Sequence, residues 1–164
     1  TLALGAKLLV TAATFPDEDT ARERLKESLS SGKAAEIFGR MIAALGGPVD
    51  FVEKSDEYLP VAKNILDFPS PSSGYLKSVN GRILGQAVIE LGGGRKQADD
   101  KLDLSVGLDQ FIRVGKNVEQ GDPLLRIHAS NDQDIERAKI LLSEAFQFSE
   151  NPVESNPLIL ESIT

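Results

Sequence analysis

Tyr75–Gly94, YLKSVNGRILGQAVIELGGG, holds the stretch that decides the fold. Tyr75 to Val79 is short, β-prone and follows turn chemistry in Pro69-Ser70-Pro71-Ser72-Ser73-Gly74, so it reads as a strand, as does Asn64 to Phe68 before it. Asn80 then offers a side-chain oxygen to cap a helix running through Leu91, with Ile83, Leu84, Ala87, Val88 and Leu91 spaced for burial on one face. Gly92-Gly93-Gly94 ends that helix.

Downstream of this unit, Leu102 to Leu108 and Phe111 to Val114 are expected as strands, and Asn117 to Asp122 supplies a tight connection, with Gly121, into a strand over Leu124 to Ala129. Ser130 or Asn131 opens a last helix carrying Ile135, Ala138, Leu142 and Ala145, and the tail Pro157 to Ile163 is expected as an edge strand. Upstream the pattern is helical. Thr1 to Ala13 is apolar almost all round, which predicts a helix buried on several sides and a chain cut from within a longer polypeptide. Phe15 to Asp19 makes a turn and an acidic start for a second helix with Ala21, Leu25 and Leu29 at a spacing of four. Lys33 to Leu45 forms a third, with Ala34, Phe38, Met41, Ile42 and Leu45 on one side and Gly46-Gly47-Pro48 as its stop. The expected class is α+β: amino-terminal helices over residues 1–50, a linker over 51–63, and a mixed or antiparallel sheet with packed helices over 64–164.

The 164 residues suffice for one domain, or one and a fragment, and 41% hydrophobic with 26% charged residues is a globular composition. A formal charge of -7 makes the global field unfavourable for nucleic acid and for anionic membranes, so neither is expected as a partner. The absence of cysteine removes thiol catalysis, disulfides and cysteine-ligated metal, and only His128 brings an imidazole. No cofactor or metal is expected, and a soluble, cytoplasmic setting is.

Three constellations invite chemistry. Gly92-Gly93-Gly94-Arg95-Lys96 combines small residues with two cations, as a phosphate loop does, but it leaves a helix at its carboxyl end, where the dipole is negative. A mobile cap and loop is the reading it favours. His128 shares its strand face with Leu124 and Arg126, while Leu125, Ile127 and Ala129 point to the core; no Ser, Asp or Glu stands at a spacing that pairs with it, so a structural role is expected. The carboxylates Asp99, Asp100 and Asp103, and the group Asp17, Glu18 and Asp19, lack calcium-loop spacing and read as a solvated loop and a helix start.

Three collinear stretches carry a family resemblance: SGKAAEIFGRMIAALGGPVDFVE (31–53), SGYLKSVNGRILGQAVIELGGGRKQADDKLDLSVGL (73–108) and VGKNVEQGDPLLRIHA (114–129). Together they resemble the carboxyl-terminal part of the pyrimidine-nucleoside phosphorylases, and of the thymidine phosphorylases among them; Asn80 stands where that family often has an acidic residue. The resemblance implies phosphorolysis of thymidine by inorganic phosphate, giving thymine and 2-deoxy-α-D-ribose 1-phosphate, in a homodimer built through a separate helical domain. The phosphate-loop and base-holding residues of the family belong to preceding parts of the enzyme, so no catalytic or substrate-binding residue is assigned here. The resemblance also implies domain closure, for which Gly92, Gly93, Gly94, Arg95 and Lys96 are the candidate contact loop. Residues 114–129 further resemble half of a biotinyl or lipoyl carrier domain, an alternative that lacks a modifiable lysine at a hairpin tip.

Overall fold

A computed structural model describes residues 1–155, 157–159 and 161. They form two compact units, Thr1–Leu59 and Pro60–Thr164. The first unit is helical: α1 (Leu2–Thr11), α2 (Glu18–Ser30), α3 (Lys33–Ala44) and the short α4 (Ser55–Tyr58).

α2 begins where its acidic residues place it. The Asp17 carboxylate accepts from the Thr20 backbone N–H at 2.8 Å and from the Thr20 hydroxyl at 2.9 Å, and these bonds hold its pKa below the ordinary value. α1 packs on α2 through small residues: Ala6 and Ala21 are buried, and a Cβ on Gly5 would come within 2.9 Å of Leu25. That contact covers one side of α1 only. Leu4 and Leu8 are 65% and 69% exposed, so burial on several sides, expected for the opening helix, is not realised by this unit. α3 likewise leaves Ile37, Phe38, Met41 and Leu45 exposed, and it stops where Gly46 takes a left-handed φ of 89°.

Residues 51–63, expected as a linker, contain α4 and a small aromatic cluster. The Phe51 ring lies 6.3 Å from Phe38, edge to face, and 6.4 Å from Tyr58, stacked. The Tyr58 hydroxyl donates to Asp50 at 2.7 Å, a bond that lowers the carboxyl pKa and raises that of the phenol.

The second unit is built from β1 (Asn64–Pro69), β2 (Gly74–Val79), α5 (Gly81–Glu90), β3 (Gly107–Asp109), β4 (Asn117–Val118), β5 (Pro123–Ala129), α6 (Asp132–Leu142) and β6 (Phe146–Ser149). The α+β class holds, but the strands form two sheets instead of one, ordered β1-β5-β3 and β4-β2-β6, and every pairing is antiparallel. The turn at 69–74 therefore carries the chain from one sheet to the other. Ser70, buried, fixes that crossing: its N–H donates to Asp122 O, its carbonyl accepts from Gly121 N, and its hydroxyl donates to Ser72 O.

Between the sheets and the two helices lies one core of Phe68, Leu76, Leu91, Val118, Leu124, Leu125, Ile127, Leu142 and Phe146, with Ala87, Ala138 and Ala145 where backbones approach. Each fully buried Leu or Ile contributes roughly 1.5–3 kcal/mol. The rings of Phe68 and Phe146, one from each sheet, stack at 6.1 Å. Leu124 is also fully buried, against its expected place on the outer face with His128. The register slips at Phe68/Pro69, and Ile112 N donates to Leu124 O, so the segment after β3 folds over this end of β5.

Helix limits in this unit follow the cap residues. The Asn80 side chain accepts from Arg82 N and Ile83 N to start α5, and that of Asn131 accepts from Asp134 N to start α6. Strand limits differ more. Of Leu102–Leu108 and Phe111–Val114 only Gly107 and Leu108 pair, with Asp109 extending the strand; the Asp103 side chain turns the chain onto Ser105 before it, and Gln110, with a positive φ of 51°, follows it. β6 was not expected; its Phe146 and Phe148 alternate with Gln147, a pattern too short to stand out beside α6. In the tail, Pro157 to Ile159 and Glu161 form no strand, and Leu160 with Ser162 and Ile163 lies outside the described residues.

Asp103 ties the long α5–β3 connection to the rest. Its N–H donates to Gly92 O, and its carboxylate accepts from the Ser105 hydroxyl and N–H and from the Ser130 hydroxyl, just ahead of the α6 cap. Those donors, the Ser105 hydroxyl first, depress its pKa below 3.8. A depressed carboxyl adds stability above its unfolded-state pKa and loses it as pH falls through the folded value. We expect Asp103→Ala to lower the stability of this unit at neutral pH by about 1–2 kcal/mol. The difference from the parent should shrink as urea titrations are repeated down to strongly acidic pH; a pH-independent difference would contradict the assignment.

Candidate functional site

The outer face of the β1-β5-β3 sheet gathers the most chemically capable side chains of the second unit. Arg126 sits mid-strand on β5, with Asp67 of β1 and Asp109 of β3 as its register partners; its Nε donates to Asp67 Oδ1 at 3.4 Å. One pair further along, His128 lies between Ile65 and Gly107, and its Nε2 is 3.0 Å from Asp109 Oδ1 on the diagonal.

This is a base with an orienting carboxylate, and its carboxylate partner comes from a different strand. Sequence spacing could not reveal it, since only the β3–β5 register brings Asp109 beside His128. A catalytic site needs in addition a reactive group beside the base and a wall that excludes water. The His128 side chain is 24% exposed and that of Asp109 51% exposed, and neither hollow described below is lined by the pair. The arrangement suits cross-strand stabilisation, in which opposed charges and polar groups contribute roughly 0.2–1 kcal/mol per pair.

The Gly-rich loop is placed by the same logic. Gly92 has a left-handed φ of 97°, and its N–H donates to Ile89 O while Gly93 N donates to Val88 O, so these donors return to the helix they terminate. N–H groups spent in this way cannot cradle an anion. A Cβ on Gly94 would come 2.5 Å from Ile89 Cγ1, which requires glycine there for packing. Lys96 Nζ pairs with Glu90 at 2.7 Å, and Glu90 also lies 3.5 Å from Arg137 Nε. The Lys96 and Gln97 N–H groups donate to Asp100, whose pKa falls below its ordinary value mainly through those two bonds. The cap part of the expectation fits this geometry, while the loop expected to be mobile carries polar ties that its composition did not disclose.

Two hollows, one in each unit, bear on ligand binding. One of about 340 Å³ is lined by Gln86, Ile89, Glu90, Lys96 and Leu141, where the carboxylate of Glu90 already occupies the ammonium that an anion would seek. The other, of about 470 Å³ in the first unit, is lined by Ser28, Lys33, Ala34, Ile37, Phe38 and Met41 and offers an apolar wall with no acid–base pair. Among the described residues no three His, Asp or Glu side chains are placed to hold a metal ion. The expected roles of the acidic groups follow: Asp17 caps α2, Asp100 and Asp103 tie a loop, and Asp99 is exposed.

Part of the second unit is similar to a known family. Residues 75–149 match the pyrimidine nucleoside phosphorylase C-terminal domain, from the first pairing residues of β2 to the last of β6. Over residues 75–149 the second unit is thus similar to the carboxyl-terminal domain of pyrimidine nucleoside phosphorylases.

Proposed function

We propose that the chain is the carboxyl-terminal part of a thymidine phosphorylase, in which inorganic phosphate displaces thymine from thymidine to give 2-deoxy-α-D-ribose 1-phosphate. The observation that carries the reading is the family match over residues 75–149. The reaction needs phosphate held below the sugar, an oxocarbenium-like transition state screened from water, and donors for the charge building on the pyrimidine. Neither hollow described above, among the described residues, brings these groups together, which supports a scaffold part for this chain with the reacting groups in the remainder of the enzyme. No cofactor is required by this chemistry. A homodimer formed through a helical domain outside this chain, and a cytoplasmic setting, complete the proposal; no helix among the described residues is long and apolar enough to cross a membrane.

Within the enzyme, residues 1–50 would complete a large α/β domain, 51–63 connect, and 64–164 form the carboxyl-terminal subdomain. The exposed Leu4, Leu8, Phe38 and Met41 support a covered position for the first segment. Gly92, Gly93, Gly94, Arg95 and Lys96 would meet the closing domain.

Two measurements test this. The 164-residue chain alone should give no thymine release from thymidine and phosphate by absorbance, while the full-length enzyme containing it should turn over only when phosphate is present. Turnover that co-purifies with the isolated chain would contradict the scaffold assignment. For the loop, trypsin should cut the full-length enzyme at Arg95, Lys96 or Lys101 more slowly when phosphate and a base analogue are both bound; equal cutting with and without them would remove the loop from domain closure.

A further inference from the structure

Among the asparagines at 64, 80, 117, 131, 151 and 156, only Asn80 is followed by glycine, while Asn151 and Asn156 precede prolines that have no amide N–H. Asn80 and Gly81 are both exposed, at the first turn of α5. A Cβ at Gly81 would meet nothing within 4 Å, so the space around its amide is open. The amide at this first helical position has no intrahelical acceptor. The Asn80 side-chain oxygen accepts from Arg82 N at 3.1 Å and Ile83 N at 3.3 Å, two donors that polarise the amide carbonyl and would stabilise negative charge on that oxygen.

We propose that Asn80-Gly81 is a site of spontaneous backbone-assisted deamidation. The Gly81 nitrogen gives up its proton and adds to the Asn80 side-chain carbonyl carbon; ammonia leaves and a succinimide closes. Water then opens the ring at one carbonyl to give aspartate, or at the other to give isoaspartate. Ring closure requires the Asn80 ψ to leave its value of 97°, so the reaction proceeds when the first turn of α5 opens, an event of low free energy at a helix end.

The two products differ for this fold. Aspartate keeps a capping oxygen and adds negative charge at the positive end of α5. Isoaspartate adds a methylene to the main chain between the Asn80 N–H, which donates to Ala145 O at 2.8 Å, and the helix it opens. It therefore separates α5, whose Ala87 and Leu91 are buried, from the end of α6. Modification at this one residue would convert a capped helix into a loosened one in part of the population.

The protein is held folded in mildly alkaline buffer at physiological temperature and mapped by mass spectrometry, with isoaspartate read by enzymatic carboxyl methylation; a urea-unfolded sample runs in parallel. Position 80 should gain the amide-to-acid mass change and the isoaspartate signal ahead of positions 64, 117 and 131 in the folded protein. Gly81→Ala, which the open space accommodates, should lose both. An unchanged position 80 in the folded protein while the unfolded chain reacts would overturn the proposal, as would modification of Gly81→Ala at the parent's rate.

Discussion

The antiparallel pairing of β5 with β1 on one side and β3 on the other is the constraint on which the second unit depends. A central strand has both edges bonded, so its register fixes two neighbours at once. Here it places Leu66, Phe68, Leu108, Leu125 and Ile127 toward a common core and the Asp67, Arg126, Asp109 and His128 groups on the outer face. The second sheet joins through side chains instead of hydrogen bonds: Leu76, Val118 and Phe146 enter the same core, and Phe146 stacks on Phe68. α5 and α6 close it through Ala87, Leu91, Ala138 and Leu142. Small residues on the helices set how closely they lie, and large ones on the strands fill the space, the alternation that dense packing requires.

The same register explains how the polar groups of this face meet. A His–Asp pair gains catalytic value from a neighbouring reactive group and from exclusion of water. On this face the pair spans two strands beneath open solvent, and the adjacent Arg126 is engaged by Asp67. After α5 the Gly92 and Gly93 N–H groups and the left-handed Gly92 backbone complete the helix end, and Lys96 faces Glu90.

Much of this was legible from residue order where the signal is local. Asp17, Asn80 and Asn131 name their helices because a cap bonds to N–H groups two or three residues away. Gly46 and Gly92 mark helix ends because their left-handed backbone is disfavoured for other residues. What stayed hidden is non-local. The split into two sheets depends on the turn after Pro69 swinging the chain away, not on the strands themselves, which look alike in sequence. The partner of His128, the tether from Ser130 to Asp103 and the Glu90–Lys96 tie each join residues brought together only by folding. Exposure on α1 could not be read from its composition, since an all-round apolar helix records what it can bury and not what its unit provides.

Hydrogen exchange on the native chain tests the central role of β5 most directly. If the unit is organised around this strand, the amides of Leu125 to Ala129 exchange only on global unfolding and are the slowest of the second unit, with those of Asn117 and Val118 in the two-residue β4 released earlier. Exchange of the β5 amides as early as those of β4, with protection retained in α5 and α6, would show that the helices and not the central strand hold the unit together.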